Sequence, residues 1–176
     1  GCGIYPGTLN ILNKEIKPDE IFGCENRHIN ENVYPKVLPI EKILELNIKF
    51  DLIYSIDVLE HVDNVCSLLN TLNKLRAKKS LVFHSVDLRS HYHNVNSIHA
   101  FKHYKYNDFF WNMMTSNRSG YTNRFKLKNW IDIFKKYYPK GEYNYFKHSF
   151  WEEMIEKFSY LKEEDIFERV NLIEMD

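Results

Sequence analysis

Two hydrophobic rhythms run through the chain. Phe50 to Val58 is a nearly unbroken apolar run, interrupted at Asp51, Ser55 and Asp57. It is too short for an ordinary helix and rich in β-branched and aromatic residues, which predicts a strand. Runs of this kind suit a parallel sheet covered on both faces, where alternation is lost because neither face meets water. Val65, Leu68, Leu69, Leu72 and Leu75 then recur at i, i+3, i+4 and i+7. That spacing predicts an amphipathic helix over 64–76 with its apolar face on the sheet and Asp63 as N-cap. Ser80 to Val86 (SLVFHSV) predicts the next strand.

The same two rhythms continue on both sides. Upstream they predict a short helix over 8–15, a strand over 21–25, and a strand over 33–38 interrupted by Pro35. One or two helical turns follow over 40–46. Downstream they predict a helix over 127–138, ended by Pro139 and Gly141, and a strand over 142–146. A helix over 151–160 and a closing strand over 167–175 complete the chain. Residues 94–124 form a long insert carrying Phe101, Tyr104, Tyr106, Phe109, Phe110 and Trp111. Those rings can pack, so the insert is expected to be ordered, partly helical and lid-like, although a long loop can also be disordered. Strands alternating with helices make an α/β domain.

Bulk properties narrow the class. With 176 residues, 44% of them hydrophobic, the chain can bury a real core, and no repeat or linker divides it. Its 24 basic and 24 acidic residues balance, which gives no support to a nucleic-acid or membrane-surface partner. No apolar stretch approaches a transmembrane length. Cys2, Cys24 and Cys66 are odd in number and widely spaced, so a disulfide framework is not expected and a reducing cytoplasm is.

Candidate chemistry gathers at two places. Gly1-Cys2-Gly3-Ile4-Tyr5-Pro6-Gly7 is a glycine-rich turn, where backbone can approach a ligand closely. Glu25 follows Gly3 at the roughly 20-residue interval expected between such a turn and a ribose-binding carboxylate. A carboxylate suits that task because it accepts hydrogen bonds from both ribose hydroxyls. Such a turn normally follows a strand, and the chain starts directly on it, so a first strand is expected upstream. The second place is the end of the 50–58 strand, where Ser55, Asp57, Glu60, His61 and Asp63 crowd together. In open α/β sheets, ligands lie outside the carboxyl ends of the strands.

Asp-Val-Leu-Glu-His-Val at 57–62, after a strand beginning Phe-Asp-Leu-Ile, resembles the fourth-strand motif of class I S-adenosylmethionine-dependent methyltransferases. Asp87-Leu88-Arg89-Ser90-His91, with Trp111, Asn117-Arg118 and Asn123-Arg124 beyond it, resembles a subset of that family. The resemblance implies a doubly wound, Rossmann-like, mostly parallel sheet over 1–176, here without its first strand. It implies methyl transfer from S-adenosylmethionine, with Gly1, Gly3, Gly7, Glu25, Asp57 and Val58 on the cofactor side. Arg124 becomes a substrate-binding candidate, since arginine grips a carboxylate or phosphate bidentately. Ala77-Lys78-Lys79 departs from the family, which often has a glycine before the fifth strand. A small molecule or a sugar-containing intermediate is the expected acceptor.

A hydroxyl acceptor needs a base, and histidine's unperturbed pKa near 6.5 suits that work at neutral pH. His61, His84, Asp87 and His91 stand at or beside the ends of two neighbouring strands. His91 is favoured because its loop should face the acceptor; the motif of His61 lies on the cofactor side. Three other readings compete. Asp87, His91, His93, His99 and His103 offer metal ligands, without a Cys cluster or HExxH. A nicotinamide-dependent oxidoreductase would also use a glycine turn and a ribose acid, but the turn lacks the third glycine of GxGxxG. A methyltransferase-like binding module without turnover is the third.

Overall fold

The computed structural model describes residues 22–23, 36–37, 40–90, 100–116 and 121–176. The helix expected over 8–15 lies outside the described residues. Strands β1 (Phe22–Gly23) and β2 (Lys36–Val37) pair in parallel, with Phe22 opposite Lys36. Helix α1 (Ile40–Glu45) leads into β3 (Phe50–Ile56), then α2 (Val65–Lys74) and β4 (Arg76–Asp87). The chain continues through α3 (Asp108–Met114), α4 (Leu127–Tyr137), β5 (Glu142–Lys147), α5 (Trp151–Lys157) and β6 (Phe167–Met175).

The larger sheet has the order β3-β4-β6-β5. β3 and β4 are parallel, and β6 is antiparallel to both β4 and β5. Three strands thus share one direction and the last strand runs against them, in keeping with the mostly parallel sheet expected. β3 is the outer strand on its side, and no described strand bonds to its far edge.

Local chemistry sets the boundaries. Asn64, not Asp63, caps α2: its Oδ1 accepts the Ser67 N–H at 3.0 Å, so the helix starts one residue later than the pattern predicts. β4 begins at Arg76, four residues before the apolar run. Phe50 pairs with Arg76, the register shifts before Leu52 meets Leu81, and Lys79 takes φ 64°. Polar Lys78 and Lys79 thus ride a bulge rather than a loop. α5 stops at Lys157, three residues short of its predicted end, with Phe158 as its C-cap.

The main core lies where α2 and α4 cover the sheet. It joins Leu59, Leu69, Val82, Val86, Trp130, Phe134, Tyr138, Val170 and Leu172. A smaller cluster of Ala100, Phe101, Leu161 and Ile166, flanked by Trp151 and Met154, sits under the insert. Phe101 and Trp111 are buried as their aromatic character suggests, whereas Phe109 and Phe110 stay exposed.

Gly141 occupies the tight return from α4 to β5, its N–H on the Tyr138 carbonyl at 3.0 Å. A Cβ there would collide with Leu172 Cδ1, and Leu172 is fully buried with nowhere to retreat. Gly141→Ala is therefore expected to cost about 1–3 kcal/mol, as overpacking does. Urea denaturation would show the midpoint move with the slope unchanged.

Candidate functional site

β3 and β4 end side by side, and their last residues form one charged cluster. Asp57 leaves β3 with φ 55°, a conformation L residues adopt against steric resistance, though Asp less than most. Its N–H donates to the Ser85 carbonyl at 2.9 Å. Its Oδ1 accepts Arg169 Nη1 at 2.5 Å, and the same nitrogen reaches Ser85 Oγ at 2.6 Å. Asp57 Oδ2 takes no hydrogen bond from the described residues, and the side chain is 26% exposed. An accessible acceptor is thus held on a turn just beyond the sheet.

Asp87 closes β4 directly opposite Arg169 in the β4–β6 register. Its Oδ1 accepts both the N–H and Nε of Arg89 at 2.9 Å, and its Oδ2 accepts Arg89 Nη2 at 2.8 Å. Arg169 Nη2 lies 3.8 Å from the same Oδ2. Burial pushes the Asp87 carboxyl up, but the two guanidiniums outweigh it and hold the group below its ordinary value. A carboxylate so firmly ionised orients donors well and takes up protons poorly.

Glu60 lies in the 3-10 turn Leu59–His61, between these acids and the core. Burial drives its carboxyl up, and Asp57 and Asp87 add to the rise. Its own backbone amide and Arg169 oppose it, leaving the group at about 8. Glu60 is thus largely a neutral acid at pH 7.

His61 Nδ1 lies 2.6 Å from the Tyr121 carbonyl, which only accepts, so Nδ1 carries the proton. In the neutral ring Nε2 then presents a lone pair, 4.0 Å from Glu60 Oε1. Asn123 ties this turn to the far end of the insert. Its Nδ2 donates to the Leu59 carbonyl at 2.9 Å and the Val62 carbonyl at 3.2 Å, and its N–H to the Glu60 carbonyl at 2.7 Å. Asn123→Ala is expected to cost about 1–3 kcal/mol by removing the side-chain amide from the Leu59 and Val62 carbonyls, while the N–H on the Glu60 carbonyl stays. Faster amide exchange confined to residues 57–62 and 121–125, beside a lowered melting midpoint, would show it.

The sequence-predicted residues divide three ways. Asp57 and Asp87 come together through Arg169, with His61 on the adjoining turn. Val58 is half-buried at the start of that turn and its carbonyl accepts the His61 N–H at 3.0 Å. Arg124 spends its guanidinium within the chain. Nη1 donates to the carbonyls of His103 at 3.2 Å and Tyr106 at 2.5 Å, Nη2 pairs with Asp108, and the group stacks on Trp111. Gly1, Gly3, Gly7, Glu25 and His91 lie outside the described residues. Among the described residues no group of three His, Cys, Asp or Glu is placed to hold a metal ion; His91, His93 and His99 are not among them. No described helix is long and apolar enough to cross a membrane.

His84 belongs elsewhere. It is fully buried on β4, with Nδ1 2.7 Å from Ser55 Oγ and Nε2 3.0 Å from the Tyr138 hydroxyl. Burial lowers its pKa to about 3. It is a satisfied polar group of the core rather than a base facing substrate. Arg169 was missed by sequence reasoning. A charge near the start of the last strand reaches these acids only because that strand runs antiparallel to its neighbours.

No curated protein matches the chain in sequence. The family described as methyltransferase domain matches residues 6–160. This chain belongs to that family. S-adenosylmethionine is the methyl donor of the class, and the mixed sheet fits its Rossmann-like fold. Among solved structures, the chain is similar to the phosphoethanolamine N-methyltransferase 2 of Haemonchus contortus, solved with phosphomonomethylethanolamine and S-adenosylhomocysteine. That likeness has 14% identity and a TM-score of 0.41, over 72% of this chain and 33% of the other. A Bacillus halodurans protein assigned as a methyltransferase shares 10% identity at a TM-score of 0.35, over 71% of this chain and 63% of its own. The chain thus spans about a third and just under two thirds of those two proteins.

The described residues fit such a donor in one respect. Asp57 Oδ2 is an accessible carboxylate oxygen, a suitable acceptor for the amino or hydroxyl groups of S-adenosylmethionine.

Proposed function

We propose that the chain binds S-adenosylmethionine at the carboxyl ends of β3 and β4 and transfers its methyl group to a small-molecule acceptor. The acceptor approaches from the side of the 94–124 insert. The family match across residues 6–160 carries this reading, and the acid–guanidinium cluster at the ends of β3 and β4 supports it.

Gly1, Gly3 and Gly7 bring backbone against the donor, and Glu25 accepts the ribose hydroxyls. Asp57 and Val58 line the donor from the turn after β3. Bound S-adenosylmethionine supplies an electrophilic methyl group on a sulfonium. His91 is the favoured group to take the acceptor's proton, and His61, whose Nδ1 is committed to the Tyr121 carbonyl, is the second candidate. Asp87 orients rather than deprotonates, because its two guanidinium neighbours keep it ionised. Arg124 serves the acceptor side by holding the insert in shape.

Calorimetry is expected to give micromolar or tighter binding of S-adenosylmethionine, about −8 kcal/mol or better. Glu25→Ala is expected to weaken it by about 1.5–3 kcal/mol, the worth of charge-assisted hydrogen bonds, with the fold intact. Binding of a nicotinamide dinucleotide in its place would overturn the reading.

A further inference from the structure

Arg169 stands on β6, which is not a neighbour of β3. Its guanidinium nonetheless crosses β4 to Asp57, satisfying Ser85 Oγ on the way and passing near Asp87. It hydrogen-bonds Asp57 at the end of β3 and lies beside Asp87 at the end of β4. The residue it reaches is held at positive φ, 55°. Backbone held in a sparsely populated region persists only where its surroundings fix it. Here the fixing contacts are the Asp57 N–H on the Ser85 carbonyl and the Asp57 carboxylate on Arg169.

We infer that Arg169 is a positioning residue for the donor site, fixing the turn after β3 against the end of β4 and so setting where the Asp57 carboxylate stands. The inference rests on the reading of Asp57 as a donor-side residue. Arg169 grips one oxygen of Asp57 and leaves the other to accept from the bound molecule. Its planar fork serves several acceptors at once in fixed directions, which a lysine ammonium cannot reproduce.

The test is a double-mutant cycle on the full chain, read as the Kd for S-adenosylmethionine by calorimetry well below every variant's melting midpoint. Asp57→Ala and Arg169→Ala are each expected to raise Kd at least tenfold, and the double variant to bind no worse than either single one. Arg169→Lys is expected to fall between wild type and Arg169→Ala, which also keeps a cation at the site should the alanine variant fold poorly. Multiplying effects in the double variant would overturn the inference, as would a lowered melting midpoint for Arg169→Ala with Kd unchanged. An Asp57→Ala variant that binds like wild type would instead overturn the donor-side role of Asp57. Wild-type chain that does not bind S-adenosylmethionine would overturn the proposed function itself.

Discussion

The melting midpoint of the chain is expected to be highest between about pH 4.5 and 6.5 and to fall on both sides. Two buried groups impose the limits. His84 has its folded pKa lowered by burial from 6.5 to about 3, against the Ser55 and Tyr138 hydroxyls. Below pH 6.5 the unfolded chain takes up a proton there that the folded chain refuses, so stability falls as pH drops toward 3. Glu60 behaves in the opposite sense, raised by burial and by Asp57 and Asp87 from 4.5 to about 8. Above pH 4.5 the unfolded chain releases a proton that the folded chain still holds, so stability is lost as pH rises through 8. Between 4.5 and 6.5 the two slopes cancel. Each limb falls roughly 2 kcal/mol below the plateau, since only the stretch from 4.5 down to 3 or from 6.5 up to 8 is uncompensated, at about 1.4 kcal/mol per pH unit. Glu60→Gln is expected to flatten the alkaline limb and extend the acid limb up to pH 6.5, and His84→Gln to flatten the acid limb and extend the alkaline limb down to pH 4.5. A midpoint that holds level from pH 5 to 9 in the wild type would refute the assignment of Glu60.

Arg76→Ala is expected to destabilise the chain by about 3–5 kcal/mol, while Arg76→Met combined with Glu174→Gln costs far less. Arg76 Nη1 and Glu174 Oε1 meet at 2.7 Å, with side chains only 13% and 4% exposed. Oε2 of the same glutamate accepts the Lys140 N–H at 2.9 Å. Removing the guanidinium alone leaves a buried carboxylate with its counter-charge gone, the costly way to break such a pair. The double variant removes both charges, keeps an amide oxygen for Lys140, and fills the space with an apolar stem. Arg76 also lies over the Tyr138 ring, 5.8 Å from its centre, so methionine preserves contact that alanine loses. Urea denaturation of wild type, Arg76→Ala and the double variant decides the point. Equal losses for Arg76→Ala and the double variant would mean that packing, not charge, is what Arg76 provides.

How far the sequence carried the fold depended on whether each signal was local. The strands at Phe50–Ile56 and Phe167–Met175 and the helix at Leu127–Tyr137 follow from side-chain periodicity within their own segments. The early start of β4 was illegible because it depends on Phe50 pairing with Arg76 across a bulge. At the site, Asp57 and Asp87 could be placed at strand ends from the apolar runs before them. What joins them could not be read, since Arg169 lies far along the chain and enters through a strand whose direction no local pattern encodes. Arg124 shows the converse case. Its residue type suggested an anion grip, yet its donors go to carbonyls of the insert that sequence spacing does not bring near.

The outer edge of β3 has a bearing on how the protein behaves in a tube. Among the described residues, the Leu52–Ile56 stretch has a strand on one side only, β4. Such an edge is a template onto which an extended segment of suitable alternation can zip. The exposed charges of Lys49 and Asp51 guard its beginning; Leu52 through Ile56 carry no charge at all. A segment that pairs along Leu52–Ile56 would extend the larger sheet to a fifth strand, joined to β3 by main-chain hydrogen bonds.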